Sequence, residues 1–197
     1  MSVGKTLLRK IILAKWTIPV VWLFVLVSCS PENSSNEKAI HSYFNLHEYF
    51  EKQAIRLNDE NPSVKKTITK DRKAETQLIR DTTWHSELQL FKNADINRPA
   101  WAPYYMADTL EVGEYYLVTY YTEKENLPVR KIMLSINVAN GQCNRVSIEK
   151  ETSNFMYTSF QKLYYIPDSG YQVKGEMDIR WLFNTKYEIE AWIIEEG

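Results

Sequence analysis

The spacing of apolar residues changes once along this chain, near residue 104. Before that point the steps are three and four; after it they are two. Ile40, Tyr43, Phe44, His47, Phe50, Ala54 and Leu57 fall on one stripe of a helix, with His47 a partly buried member of that stripe. Ser34 with Glu37 makes a capping box, and Asn58 and Asn61-Pro62 are stop signals, which predicts an amphipathic helix from about residue 36 to 58. Trp84, Leu88 and Phe91 keep helical spacing and predict a short second helix over residues 84–93. Between them Val64, Thr67, Ile68 and Thr69 are β-branched, and Asp71-Arg72-Lys73 offers a turn. A hairpin returning through residues 74–80 is predicted there, with a helix over residues 73–80 as the competing reading. Residues 94–101 read as a loop.

Beyond residue 104, Tyr171, Val173, Gly175, Met177, Ile179, Trp181 and Phe183 alternate with Gln172, Lys174, Glu176, Asp178 and Arg180. That is a long strand with one wet face. Ile132, Leu134, Ile136 and Val138 alternate in the same way with Lys131, Ser135 and Asn137. Asn140-Gly141, Pro167-Asp168-Ser169-Gly170 and Asn184-Thr185-Lys186 supply short turns, and short turns make antiparallel neighbours. The expected fold is α+β: an antiparallel meander sheet of about seven to nine strands, with the N-terminal amphipathic helix and the short second helix on one face. Residues 37–197 form a single globular domain on this reading.

The first thirty residues carry a different message. Lys5, Arg9, Lys10 and Lys15 precede the run from Trp16 to Val27, apolar apart from Thr17. The run has twelve residues, where a helix needs about 20 to span hydrocarbon, so residues 1–28 read as a cleaved export signal. Its end, Leu26-Val27-Ser28-Cys29, resembles the bacterial lipobox. The resemblance implies that the Cys29 sulfur carries diacylglycerol and that Cys29 becomes the first mature residue. Residues 29–36 are then the lipidated Cys and a polar tether. Ser30 is not acidic, which in lipoproteins of two-membrane bacteria goes with outer-membrane sorting.

Removing the signal leaves twenty basic and twenty-five acidic residues, a net charge of −5. A nucleic-acid binder needs a basic face to displace counterions, so that class is excluded. The acyl chains must hold the protein to the membrane, since an acidic domain as a whole gains nothing from anionic headgroups. With Cys29 lipidated only Cys143 remains, and a disulfide within the chain is ruled out.

Motifs for chemistry are missing. Gly113, Gly141 and Gly170 sit at turns and Gly175 inside a strand, so no Gly-rich phosphate loop exists and no cofactor is expected. His41, His47 and His85 lack the spacing of a metal site, and His85 with Ser86 and Asp81 cannot form a triad within one helical turn. Cys143 has only Arg145 near it to lower its pKa, and reads as a small filler residue. A non-enzymatic protein is the expectation.

The aromatics stand out. Tyr-Tyr pairs occur at 104–105, 115–116, 120–121 and 164–165, and in a strand each pair puts one ring on each face. Tyr115, Tyr116, Tyr120, Tyr121, Tyr164 and Tyr165 are therefore the candidate binding surface, although Tyr also simply suits half-buried strands. Lys65, Lys66, Lys70, Arg72 and Lys73 cluster at the hairpin, as a solvated tip or against lipid phosphates. Asp81-Thr82-Thr83 and Asp108-Thr109-Leu110 look like the bacterial O-glycosylation acceptor, a short pattern of low specificity.

Taken whole, the lipobox signal, N-terminal helix and Tyr-rich meander resemble uncharacterised bacterial outer-membrane lipoproteins, residues 91–101 included. The resemblance implies localisation in the bacterial cell envelope and brings no activity with it. Two functions are expected on it: an interaction module for another envelope protein, or a carrier of an apolar ligand. The second rests on a likeness between this helix-plus-meander plan and the lipoprotein-carrier fold, a half-barrel over a greasy cavity, whose sheet is larger than the one expected here.

Overall fold

Where alternating segments are joined by short turns, each strand has little choice of neighbour but the next. The computed structural model, which describes residues 43–194, follows that rule. Seven strands run as a meander: β3 (Met106–Val112), β4 (Tyr115–Tyr121), β5 (Val129–Asn137), β6 (Cys143–Ser153), β7 (Tyr157–Ile166), β8 (Gly170–Ile179) and β9 (Phe183–Ile193). The hairpin β1 (Val64–Lys70) and β2 (Lys73–Ile79) precedes them. All pairings are antiparallel, and the order is β2-β1-β9-β8-β7-β6-β5-β4-β3, so β1 lies against β9 and the nine strands form one sheet.

The helix α1 (Leu46–Glu60) starts ten residues later than its spacing suggested. Asn45 is the N-cap, its side chain accepting the Glu48 backbone N–H. Just upstream, the Tyr43 N–H donates to Asn97 and the Phe44 N–H to the Tyr120 hydroxyl, which draws residues 43–45 off the helical path. The Ser34–Glu37 box lies outside the described residues. At the other end Asn58 does not stop the helix. It stays helical while its side chain accepts the Trp84 N–H, and Asn61 in the left-handed region (φ 42°) closes the helix instead. Leu46, Phe50, Ala54 and Leu57 form the buried stripe, and His47 is exposed rather than part of it.

The second helix is two single turns, α2 (Trp84–Glu87) and α3 (Gln89–Lys92), parted at Leu88. The hairpin reading of residues 63–80 is realised, with Asp71 and Arg72 both at positive φ. The turn between β8 and β9 is not at Asn184–Lys186. It falls at residues 180–182, where Trp181 takes φ 62° and the Leu182 N–H donates to the Ile179 carbonyl. Trp181 therefore sits on a turn, and Phe183 opens the next strand.

One core joins the helices to one face of the sheet. Phe50, Leu57, Trp84, Leu88 and Phe91 pack with Ile132, Leu134, Val146, Ile148, Leu163, Tyr165 and Val173. Gly170 (φ 135°) brings β8 so close to β9 that a Cβ there would stand 2.0 Å from the Ala191 carbonyl oxygen. Gly175 has a similar reason: the Tyr187 ring lies where its Cβ would be, 2.2 Å from the ring carbon, and the Tyr187 hydroxyl accepts from Gln161. Past that point, β7, β8 and β9 run on beyond the core toward their far turns.

Candidate functional site

Register decides which side each tyrosine takes. Tyr116, Val118 and Tyr120 pair with Ile136, Leu134 and Ile132 on the inner, helix-covered face. Tyr115, Leu117, Thr119 and Tyr121 pair with Asn137, Ser135, Met133 and Lys131 on the outer face. The six tyrosines of the candidate surface are thus divided, three to a face, and do not make one site.

Tyr120 packs edge-on against Tyr43, with ring centroids 5.1 Å apart, and its hydroxyl accepts the Phe44 N–H; burial raises its pKa. Tyr165 is 1% exposed, inside the core, and donates to Gln53; burial pushes its hydroxyl far above the usual value. Neither is available to a partner. Tyr116 is inward-facing but exposed at the uncovered corner of the sheet. Tyr164 faces outward on β7, half-buried between Ser147 and Gln172 and three strands from Tyr121.

What the outer face does bring together is larger than its tyrosines. The β3–β4 register sets Met106 beside Tyr121, Leu110 beside Leu117 and Val112 beside Tyr115. Leu110 is 60% exposed, and Met106, Val112, Leu117 and Tyr121 are exposed too. These residues form an apolar strip, interrupted by the Asp108–Thr119 pair, along a sheet edge, because among the described residues β3 pairs with β4 alone. Natural edges are commonly blunted by Lys or Pro, and β3 has neither; its charges are Asp108 and Glu111. The outer face of β6 to β9 is a charged ladder instead, with Lys162–Glu149 and Lys174–Glu188 both at 3.1 Å and Gln172 donating to Glu188 and Glu190. The strip was missed in the sequence because Met106, Leu110 and Val112 gain meaning only once β3 is known to be an edge.

A second apolar group also escaped notice. Phe155 and Met156 on the β6–β7 turn lie beside Trp181 and Leu182 on the β8–β9 turn, and all four are exposed. Alternation placed Trp181 among the inward residues, and only the position of the turn reveals otherwise.

The space between α1 and the sheet is filled by Phe50, Phe91 and Tyr165, whose centroids lie 4.9 to 6.0 Å apart. A groove of about 410 Å³ is open to solvent and lined by Arg72, Phe160, Lys162, Lys174 and Glu188 on the charged face. Cys143 is buried, which raises its thiol to about 11, and it donates to the Arg145 carbonyl. Glu51 accepts from Lys92 at 2.9 Å and faces His85 at 3.3 Å; the Lys92 bond holds its carboxyl below the ordinary range and ties α1 to α3. Among the described residues no group of three or more His, Cys, Asp or Glu is placed to hold a metal ion.

No protein-family model, curated protein or solved structure matches this chain.

The two neighbours Tyr120 and Tyr121 give a direct check on the faces. Tyr120→Ala is expected to cost about 3 kcal/mol in urea unfolding, as a largely packed aromatic does. Tyr121→Ala is expected to stay within about 0.5 kcal/mol, as exposed substitutions do. Equal losses would place both rings in packed surroundings and remove the outer strip.

Proposed function

We propose that this protein is a non-enzymatic interaction module of the bacterial envelope, anchored through lipid on Cys29, most naturally in the outer membrane, and that the β3–β4 strip is where it meets another envelope protein. The observation that carries this reading is an apolar strip on an edge strand whose outer backbone groups have no strand beside them among the described residues. An extended segment of a partner adds to such an edge through main-chain hydrogen bonds, while its alternate side chains meet the strip. Asp108 and Glu111 on β3 select a segment with basic residues among its apolar ones. The signal, the lipobox and Ser30 support the anchoring. The carrier alternative is the weaker reading, since an apolar ligand needs an enclosed cavity and aromatic rings occupy the place where a half-barrel would have one.

A photo-crosslinking residue at Leu110, introduced in the producing cell, tests this. The expected result is one discrete adduct with a different envelope protein, absent when the same group replaces Lys174 on the charged ladder. Labelling that is equal at the two positions, or an adduct of two copies of this chain, would overturn it.

A further inference from the structure

The turns at the far end of the sheet, beyond the helix-covered core, have the opposite chemistry to ordinary turns. Turn tips favour Gly, Asn, Asp and Ser. Here Phe155 and Met156 occupy one tip, Trp181 and Leu182 occupy the next, and Phe183 opens the strand that follows. Trp181 is 87% exposed and Phe155 73%. Trp181 also adopts a positive φ, where Gly or Asn is the low-energy choice. Leaving five large apolar side chains in water forgoes roughly 25 cal/mol for every Å² left unburied.

These tips are built, not loose. The Asn154 side chain accepts the Met156 and Tyr157 N–H groups and fixes the first turn. The Arg180 N–H donates to the Met156 carbonyl and joins the two turns. The Phe155 and Trp181 rings meet edge-on at 6.2 Å, and the Arg180 guanidinium lies 5.7 Å from the Phe155 ring centre. Met177, Ile179 and Tyr157 continue the apolar surface inward.

Behind the tips stands a cationic tier. Lys186 is three residues along β9 from Phe183, about 10 Å at strand rise. The β1–β2 turn reaches the same level, with the Asp71 N–H donating to the Lys186 carbonyl, and it carries Lys70, Arg72 and Lys73, all exposed. With Arg180 that makes five cationic side chains against Asp71, Glu151, Glu176 and Asp178, with Lys186 paired to Glu176 at 3.2 Å. The tip end is locally positive although the mature chain is acidic.

We infer that the two joined turns dip into an anionic lipid bilayer, with Phe155, Met156, Trp181 and Leu182 below the headgroups and Arg180, Arg72, Lys73 and Lys186 at the phosphates. The spacing fits: an interfacial apolar face sinks about 5–10 Å into the headgroup and acyl boundary, and the cationic tier begins at about 10 Å. Trp at the interface and Lys or Arg beside anionic lipid are the favoured placements. A protein partner would need a pocket shaped to two protruding tips, whereas a bilayer receives a protrusion of any outline. The inference rests on the tips and not on Cys29, and it concerns the far turns rather than the β3–β4 strip.

The test uses the full chain with phosphatidylcholine vesicles, with and without phosphatidylglycerol, made with plain or brominated acyl chains. The difference in emission between the wild type and Trp181→Phe isolates Trp181 from the other tryptophans. Trp181 emission is expected to shift to the blue and to lose most of its intensity with brominated chains, more so when phosphatidylglycerol is present. If Trp181 emission is the same in plain and brominated vesicles and stays open to acrylamide, the inference fails. It also fails if the emission becomes shielded from acrylamide without vesicles as protein concentration rises, because the tips then meet a second copy of the chain.

Discussion

Phe50→Ala is expected to lower the unfolding free energy by about 3–5 kcal/mol, the range for a fully buried aromatic. Phe50 is where three elements meet: its ring lies 4.9 Å from Phe91 on α3, 5.0 Å from Tyr165 on β7 and 5.1 Å from Tyr49 on its own helix. Truncation leaves a cavity bounded by two tilted or edge-on ring contacts that α1 cannot close by shifting, since the His47 N–H bond to Asp95 and the Asn58 bond to the Trp84 N–H tie it at both ends. Aromatic pairs add about 0.5–1.5 kcal/mol beyond the area they bury, and two cross-element pairs are lost together. Against a usual domain stability of about 5–15 kcal/mol this is a large fraction. Urea unfolding followed by circular dichroism measures it, with Ile55→Ala on the exposed side of the same helix as the comparison, expected within about 1 kcal/mol. If the two variants unfold alike, α1 is not packed on the sheet.

The other large effect concerns anchoring. On the proposal that Cys29 carries lipid, Cys29→Ala removes the only sulfur in the tetrapeptide, and no acyl group can be attached there. Incorporation of labelled palmitate into the protein is expected to vanish, and the chain is expected to keep residues 1–28. Cys29→Ser is expected to behave in the same way, because an ordinary signal cleavage would tolerate either residue while thioether formation tolerates neither. A Cys29→Ala chain that still reaches mature size in the membrane fraction would show an ordinary secretory signal and would sink the lipoprotein reading. The fold predictions would be untouched, so the two proposals fail separately.

How far the sequence was legible depended on whether a signal was local. The β5–β6 connection could be read from Asn140-Gly141 alone, because Gly141 takes the positive φ that the turn requires. The β1–β2 hairpin was readable from its β-branched run and from Asp71-Arg72. Alternation misled at the β8–β9 turn: the inward set continued in step through Trp181 and Phe183, and a turn without Gly or Pro gives no warning. The start of α1 misled for a different reason. Residues 43 and 44 have helical spacing, but their N–H groups are taken by Asn97 and Tyr120, partners 54 and 76 residues away. The candidate site was legible as an excess of tyrosine and not as a place. Which ring of each pair faces water depends on register against β5 and β6, and the exposure of Leu110 depends on β3 having no further neighbour among the described residues. Both are properties of the assembled sheet.

The position of β9 has a consequence in time. It is the last strand of the described residues to be synthesised, yet it lies inside the sheet, between β8 and the early hairpin. Val64 waits for Ile193, a contact across most of the domain. Until β9 arrives, β1 has only β2 beside it, and a two-stranded hairpin alone is at best marginally stable in water. Contacts of this range also slow folding, since the loop must close before they repay it. The chain therefore cannot complete its sheet while its last described strand is still being made. A nascent molecule stays open beside β1, and the sheet closes only once β9 has been released.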